Sequence, residues 1–145
     1  ILRHVDKEKK FLRFYTDKRS SKVKDIKKNN NVSIYFYDIK KRIQLICLGI
    51  CYLENNTSNS MAIWKTLNQY SKTNYNSSAK PGTIIINNNN NKKLELNDKK
   101  SFSNFTLINV KIKSIEWLRL SRKNNKRALF KYKNKKFIEG KWLVP

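Results

Sequence analysis

Histidine occurs once, as His4, with no cysteine or second histidine at metal-ligand spacing, so no metal site is expected. Acidic residues are few, ten against 33 Lys and Arg. The pair Asp6 and Glu8 lies in a turn, and nothing around it supports paired-carboxylate catalysis. Cysteine is limited to Cys47 and Cys51, four apart on a predicted strand. They share a face but stand ~13 Å from each other at ~3.3 Å per residue, too far for a mutual disulfide. They read as core thiols, and with no secretory signal in view they point to a reducing, cytoplasmic setting. No apolar run approaches the ~20 residues of a membrane helix, since the longest, Ile43 to Leu53, is broken by Gln44 and Gly49. A soluble protein is expected. The chain opens on Ile1, already inside the strand-like run Ile1 to Val5, which suggests that its true start lies upstream.

What is abundant is positive charge, a net +23 over 145 residues. Such an excess raises nucleic acid as a partner, because clustered cations release counterions from a phosphate backbone. Here 26 of the 33 basic residues are lysines spread along the whole chain among Asn-rich tracts such as Asn87 to Asn91. That dispersal has the look of a codon bias acting on solvated surface and argues against a dedicated nucleic-acid role. The length suits one domain, residues 1–145, with one core.

Ile1 to Val5 and Phe11 to Thr16 form a predicted hairpin across a polar turn. Asp17 to Ser21 is a capping cluster, and Val23 with Ile26 marks a short helix ending at Asn29 to Asn31. Val32 to Tyr37 and Gln44 to Leu53 are rich in β-branched and aromatic residues and read as two further antiparallel strands. A helix is expected over Met61 to Tyr70, with Ile63, Leu67 and Tyr70 on one face and Trp64 beside them. Residues 71–104 are mostly polar, hold the Pro81-Gly82 turn, and read as a long flexible loop. Strands return at Phe105 to Ile112, Ile115 to Leu120, Arg127 to Tyr132 and Phe137 to Leu143. This succession excludes a doubly wound sheet and favours a mainly β, antiparallel barrel with a few short helices. Trp64, Trp117 and Trp142 read as core or interface aromatics rather than base-stacking platforms.

The most informative stretch is Phe14 to Lys22, where a strand end enters a helix start beside two cations and two hydroxyls. Free backbone N–H groups and the positive end of the helix dipole make such a place an anion site. Arg19 could offer a planar fork to phosphate oxygens, Lys22 a point charge, and Ser20 with Ser21 neutral hydrogen bonds. The plainer alternative is a serine that merely caps the helix beneath solvated cations.

A strand with Leu-Arg, a hairpin, then Phe-Tyr-Thr-Asp, Arg-Ser-x-Lys and a short helix resembles the FMN-binding core of the pyridoxamine 5'-phosphate oxidase-like family. Val32 to Tyr37, the Gln-x-x-x-x-Gly of Gln44 to Gly49, Ile115-Glu116-Trp117-Leu118, Arg127 and the terminal Trp142 to Pro145 resemble later landmarks in the same order. The resemblance implies a six-stranded split β-barrel that binds FMN at the interface of a homodimer. By it, Arg3 and Lys22, with Ser20 and Ser21, would hold the FMN phosphate, and Arg19 would replace a cation missing at Ser21. Tyr15 and Thr16 would lie along the flavin and ribityl chain, Gln44 would bond the flavin, and Arg127 would approach from the partner subunit. The vitamin-oxidising members carry Arg-x-His where this chain has Lys123 and Asn125, so oxidation of pyridoxamine phosphate is not implied. The expectation is an FMN-dependent oxidoreductase on an unassigned small molecule, in which FMN carries the redox step and no side chain acts as a catalytic group. The alternatives are a non-catalytic flavin- or haem-binding module of the same fold, or a basic β-barrel for single-stranded nucleic acid.

Overall fold

The computed structural model describes residues 1–84, 96–134 and 136–145. The chain runs through β1 (Leu2–Asp6), β2 (Phe11–Asp17), α1 (Ser21–Lys28), β3 (Asn31–Asp38) and β4 (Ile43–Glu54). It continues with α2 (Ser58–Thr66), α3 (Gln69–Thr73), α4 (Asp98–Asn104), β5 (Phe105–Arg119), β6 (Lys126–Lys133) and β7 (Lys136–Leu143). Short Asx turns close the first two hairpins. Asp6 Oδ1 accepts the Lys9 amide at 2.7 Å, and Asp38 Oδ1 accepts the Lys41 amide at 2.9 Å.

All pairings are antiparallel, and β1-β2-β5-β4-β3 form one continuous path with β6 and β7 attached through β5. Among the described residues the sheet has seven strands where a six-stranded barrel is expected. One strand organises it. β5 gives one edge to β4 along its length and divides the other between β2, opposite Phe105 to Lys111, and β6, opposite Ser114 to Arg119. The division falls at a bulge: the register steps from Leu48↔Ser114 to Gly49↔Ile112, so Lys113 is the extra residue. The two runs read as separate strands, 105–112 and 115–120, are therefore one strand that bends. Gly49 is required at the bend, because a Cβ there would stand 2.8 Å from Val110 Cγ1 and collide with the Lys111 carbonyl oxygen.

Strand alternation sorts side chains onto two cores. Leu12, Cys47, Cys51, Ile108, Val110 and Ile112 make the first, with Phe14, Ile34 and Phe36 packed against it. Both cysteines are free and buried here, in keeping with their reading as core thiols. The second core joins Trp64 and Tyr75 to Phe105 and Leu107. Trp64 is 1% exposed and its Nε1 donates to Asp98 at 3.2 Å.

The expected helix over 61–70 is two helices. Leu67 is extended (φ −76°, ψ 139°), and Asn68 restarts the coil by accepting the Ser71 amide at 2.8 Å. Tyr70 consequently points to solvent at 82% exposure rather than inward with Ile63. The 71–104 segment, read as a flexible loop, is helical at both described ends and fastened by side chains. Asn104 Nδ2 donates to the Tyr75 carbonyl at 3.0 Å, and Ser101 Oγ to Asn76 Oδ1 at 3.2 Å. These polar ties leave no apolar period to read. The Asn87 to Asn91 tract lies outside the described residues. Among the described residues, no helix is long and apolar enough to cross a membrane.

Candidate anion-binding cavity

The turn from β2 into α1 is set by Asp17, which is 5% exposed. Its carboxylate accepts the Arg19 amide at 2.8 Å and two Arg19 guanidinium nitrogens, Nε at 3.0 Å and Nη2 at 2.7 Å. A buried carboxylate needs a cation, and the one two residues ahead supplies it. Arg19 therefore departs from its expected role: its Nη1 donates to the carbonyls of Ser77 and Ser78 at 3.0 and 3.2 Å, and the group ties that segment to the strand end. The Asp17 bond raises the Arg19 pKa further. No phosphate-facing fork remains on it.

Ser20 occupies the N-cap position of α1, but its side chain caps nothing; its Oγ lies 3.5 Å from Thr16 Oγ1 instead. The amides of Ser21 and Lys22 find no protein acceptor among the described residues. An eight-residue helix thus begins with open donors and the positive end of its dipole, beside the Lys22 ammonium. That is the chemistry of an anion site.

Next to it opens a cavity of about 330 Å³, walled by Tyr15 and Thr16 of β2, Lys22 and Ile26 of α1, and Ser33 and Tyr35 of β3. The hydroxyl of Tyr35, part of this wall, donates to Gln44 Oε1 at 3.2 Å. Three of the residues singled out by sequence, Tyr15, Thr16 and Lys22, line this cavity, and Gln44 is linked to it only through its bond to Tyr35. Ser20 adjoins through Thr16. Arg3 stands apart from the cavity wall, with its guanidinium over the Tyr15 ring 5.7 Å from the centroid. Arg127 shares one cross-strand row with Gln44 through Leu118, and within this chain it is held by Glu116, with Nη2 to Oε1 at 2.7 Å. His4 is exposed beside Phe11, and the described residues contain no metal-binding group of His, Cys, Asp and Glu.

Sequence reasoning missed Tyr35 and Ser33. The alternation of Val32 to Tyr37 does place Ser33, Tyr35 and Tyr37 on one face, but their meeting with Gln44 depends on the register set by the turn at 38–42. A larger hollow of about 730 Å³ lies on the outer sheet face near Leu48, Tyr52, Leu129 and Lys131, and holds none of the residues expected from sequence.

Comparison with solved structures defines the class of fold. The chain is similar to a pyridoxamine 5'-phosphate oxidase-related, FMN-binding protein from Nostoc punctiforme, with TM-score 0.76 and 19% identity over 100% of this chain and 78% of that one. It is also similar to PhzG from Burkholderia lata, solved with tetrahydrophenazine-1-carboxylic acid, with TM-score 0.72 and 12% identity over 99% and 72% of the two chains. A third is a Clostridium acetobutylicum protein related to general stress protein 26, of the pyridoxinephosphate oxidase family, with TM-score 0.52 and 14% identity over 81% and 65%. The fold is the split β-barrel of these neighbours. By sequence, no family model and no curated protein matches the chain.

Proposed function

We propose that this protein binds FMN in the cavity beneath α1 and acts, as a homodimer, as an FMN-dependent oxidoreductase on a small molecule. The observation that carries the reading is the convergence of Lys22, Tyr15 and Thr16 on one cavity beside the open amides of α1, with Gln44 bonded to Tyr35 of its wall. A dianionic phosphate would be held by those amides, by Lys22 and by the Ser20 and Ser21 hydroxyls, while Arg3 adds positive potential from above Tyr15. Gln44 would bond the flavin. FMN, when bound, supplies the redox chemistry. The chain's own residues bind it, orient it and keep water from it.

A cavity of about 330 Å³ is at the lower end of the ~300–1,000 Å³ of small-molecule pockets, so one chain encloses only part of such a ligand. The rest of the enclosure would come from a second copy laid on the outer sheet face, where Tyr35, Tyr37, Leu48 and Tyr52 are exposed. In that arrangement Arg127 of each copy would serve its neighbour's flavin, sharing its charge with Glu116. For the flavin itself, the support among neighbours of this fold is the Nostoc punctiforme protein, which is named for FMN binding. The free buried thiols suit the cytoplasm as its place. Lys123 and Asn125 lie in the β5 to β6 turn, where Asn125 Oδ1 accepts the Ser121 amide at 2.9 Å, and the reading assigns them no substrate.

The test is a titration of the purified protein with FMN. Lys22→Ala should weaken binding tenfold or more, since a charge-assisted hydrogen bond is worth ~1.5–3 kcal/mol. Equal affinity in variant and wild type would remove Lys22 from the site.

A further inference from the structure

Tyr35 and Tyr37 of β3 both face outward beside Gln44. Tyr37 stands directly opposite it in the β3–β4 register, and Tyr35 lies two pairs further along on the same face, opposite Ile46. Only Tyr35 bonds it: the phenol donates to Oε1 at 3.2 Å, and Tyr35 is also a wall of the cavity. An amide has one acceptor oxygen and one nitrogen with two donors, set on opposite sides of the same carbon. Once Oε1 is turned toward Tyr35, Nε2 is turned away, and it finds no acceptor among the described residues. The Gln44 side chain is half-buried on β4, and rotation of its amide is the freedom that this bond restrains.

We infer that Tyr35 is a positioning residue that fixes the Gln44 amide with its N–H donors outward, so that the site presents donors and no acceptor to an edge of the flavin. The inference rests on the proposed FMN site and adds to it a direction of electronic tuning. A neutral donor aimed at ring oxygens and nitrogens stabilises the reduced, electron-rich ring more than the oxidised ring. A free amide could turn its oxygen to the same atoms and lose that preference. Tyr35 would thereby hold the bound flavin at a higher reduction potential than an unrestrained glutamine would. No group of Tyr35 itself needs to touch the flavin for this to hold.

The experiment compares wild type, Tyr35→Phe, Tyr70→Phe, Gln44→Leu and the Tyr35→Phe/Gln44→Leu double variant. Each is titrated with FMN, and the potential of the bound flavin is measured against a reference dye. Removing one neutral hydrogen bond's worth of orientation should weaken FMN binding about two- to tenfold in Tyr35→Phe, with the potential moved to a more negative value. Tyr70→Phe, exposed on α3, should move neither, and in the Gln44→Leu background the Tyr35 change should have almost no further effect, because the lost hydroxyl acts through the amide. A purely structural role would weaken binding in both backgrounds alike. Tyr35→Phe that binds FMN with wild-type affinity and potential, or effects of the two changes that add in full, would overturn the inference while leaving the FMN site standing. A wild-type protein that takes up no FMN would overturn both.

Discussion

Lys22 and Arg19 stand three residues apart in one turn, and the buried carboxylate of Asp17 separates their roles. Arg19 is drawn into a short ion pair at 2.7 Å and into two carbonyl bonds of the segment at 77–78, while Lys22 is left at the cavity. Arg19→Ala would strand a carboxylate that is 5% exposed, and should cost about 2 kcal/mol, the scale of hydrogen bonds to charged groups. Denaturant unfolding reads that loss, and no change in midpoint would mean that the pair is slack in solution. Gly49 offers a second test at this scale. Gly49→Ala puts a methyl group against the Lys111 carbonyl and Val110, and should destabilise by ~1–3 kcal/mol as overpacking does; a neutral result would mean that the β5 bulge relaxes freely.

At the scale of elements, sequence pattern carried most of the strands because β-branched and aromatic residues recur at period two in each. What it could not carry was any feature that depends on partners far along the chain. Phe105 to Arg119 is continuous because β4 pairs with it on both sides of the Lys113 bulge, and a local break in alternation looks the same as a strand end. The described ends of the stretch from Ser71 to Asn104 were hidden for a related reason: Asn76, Ser101 and Asn104 tie them together with side-chain bonds that have no periodicity. The candidate site divides likewise. Tyr15, Thr16, Ser20 and Lys22 are close in sequence and were legible as a unit, whereas Tyr35 meets Gln44 only through the register of β3 on β4, and the loss of Arg19 to Asp17 is a matter of burial. Trp64 fastens α2 to the second core against Tyr75 and Phe105, with ring centroids 5.7 and 5.2 Å away. Trp64→Ala should therefore cost ~3–5 kcal/mol in denaturant unfolding. A loss below about 1 kcal/mol would show that the helices are not anchored there.

At the scale of the whole molecule, burial of neutral acids contributes a loss of stability at alkaline pH. Burial pushes the Cys51 thiol up from 9.0 to about 11 and the Tyr75 phenol up to about 12, and Cys47 moves in the same direction. These groups keep their protons in the folded state at a pH where the unfolded chain releases them. The stabilisation they give is complete below the unfolded values and is lost as pH rises through the folded ones. Stability should thus fall from about pH 9 upward, and for Cys51 alone a two-unit shift corresponds to roughly 3 kcal/mol. Urea midpoints on either side of that range check the slope, and Cys51→Ala should flatten it. An unchanged midpoint up to about pH 11 would contradict the burial of these groups.

The barrel gathers a small set of polar groups at one helix start, and the account stands or falls on what they hold. The most direct measurement is a flavin fluorescence titration of the purified wild-type protein and of Lys22→Ala. Saturable FMN uptake is expected of the wild type, and at least tenfold weaker uptake of the variant. A protein that leaves added FMN free in solution, or a variant that binds it as well as the parent, would contradict it.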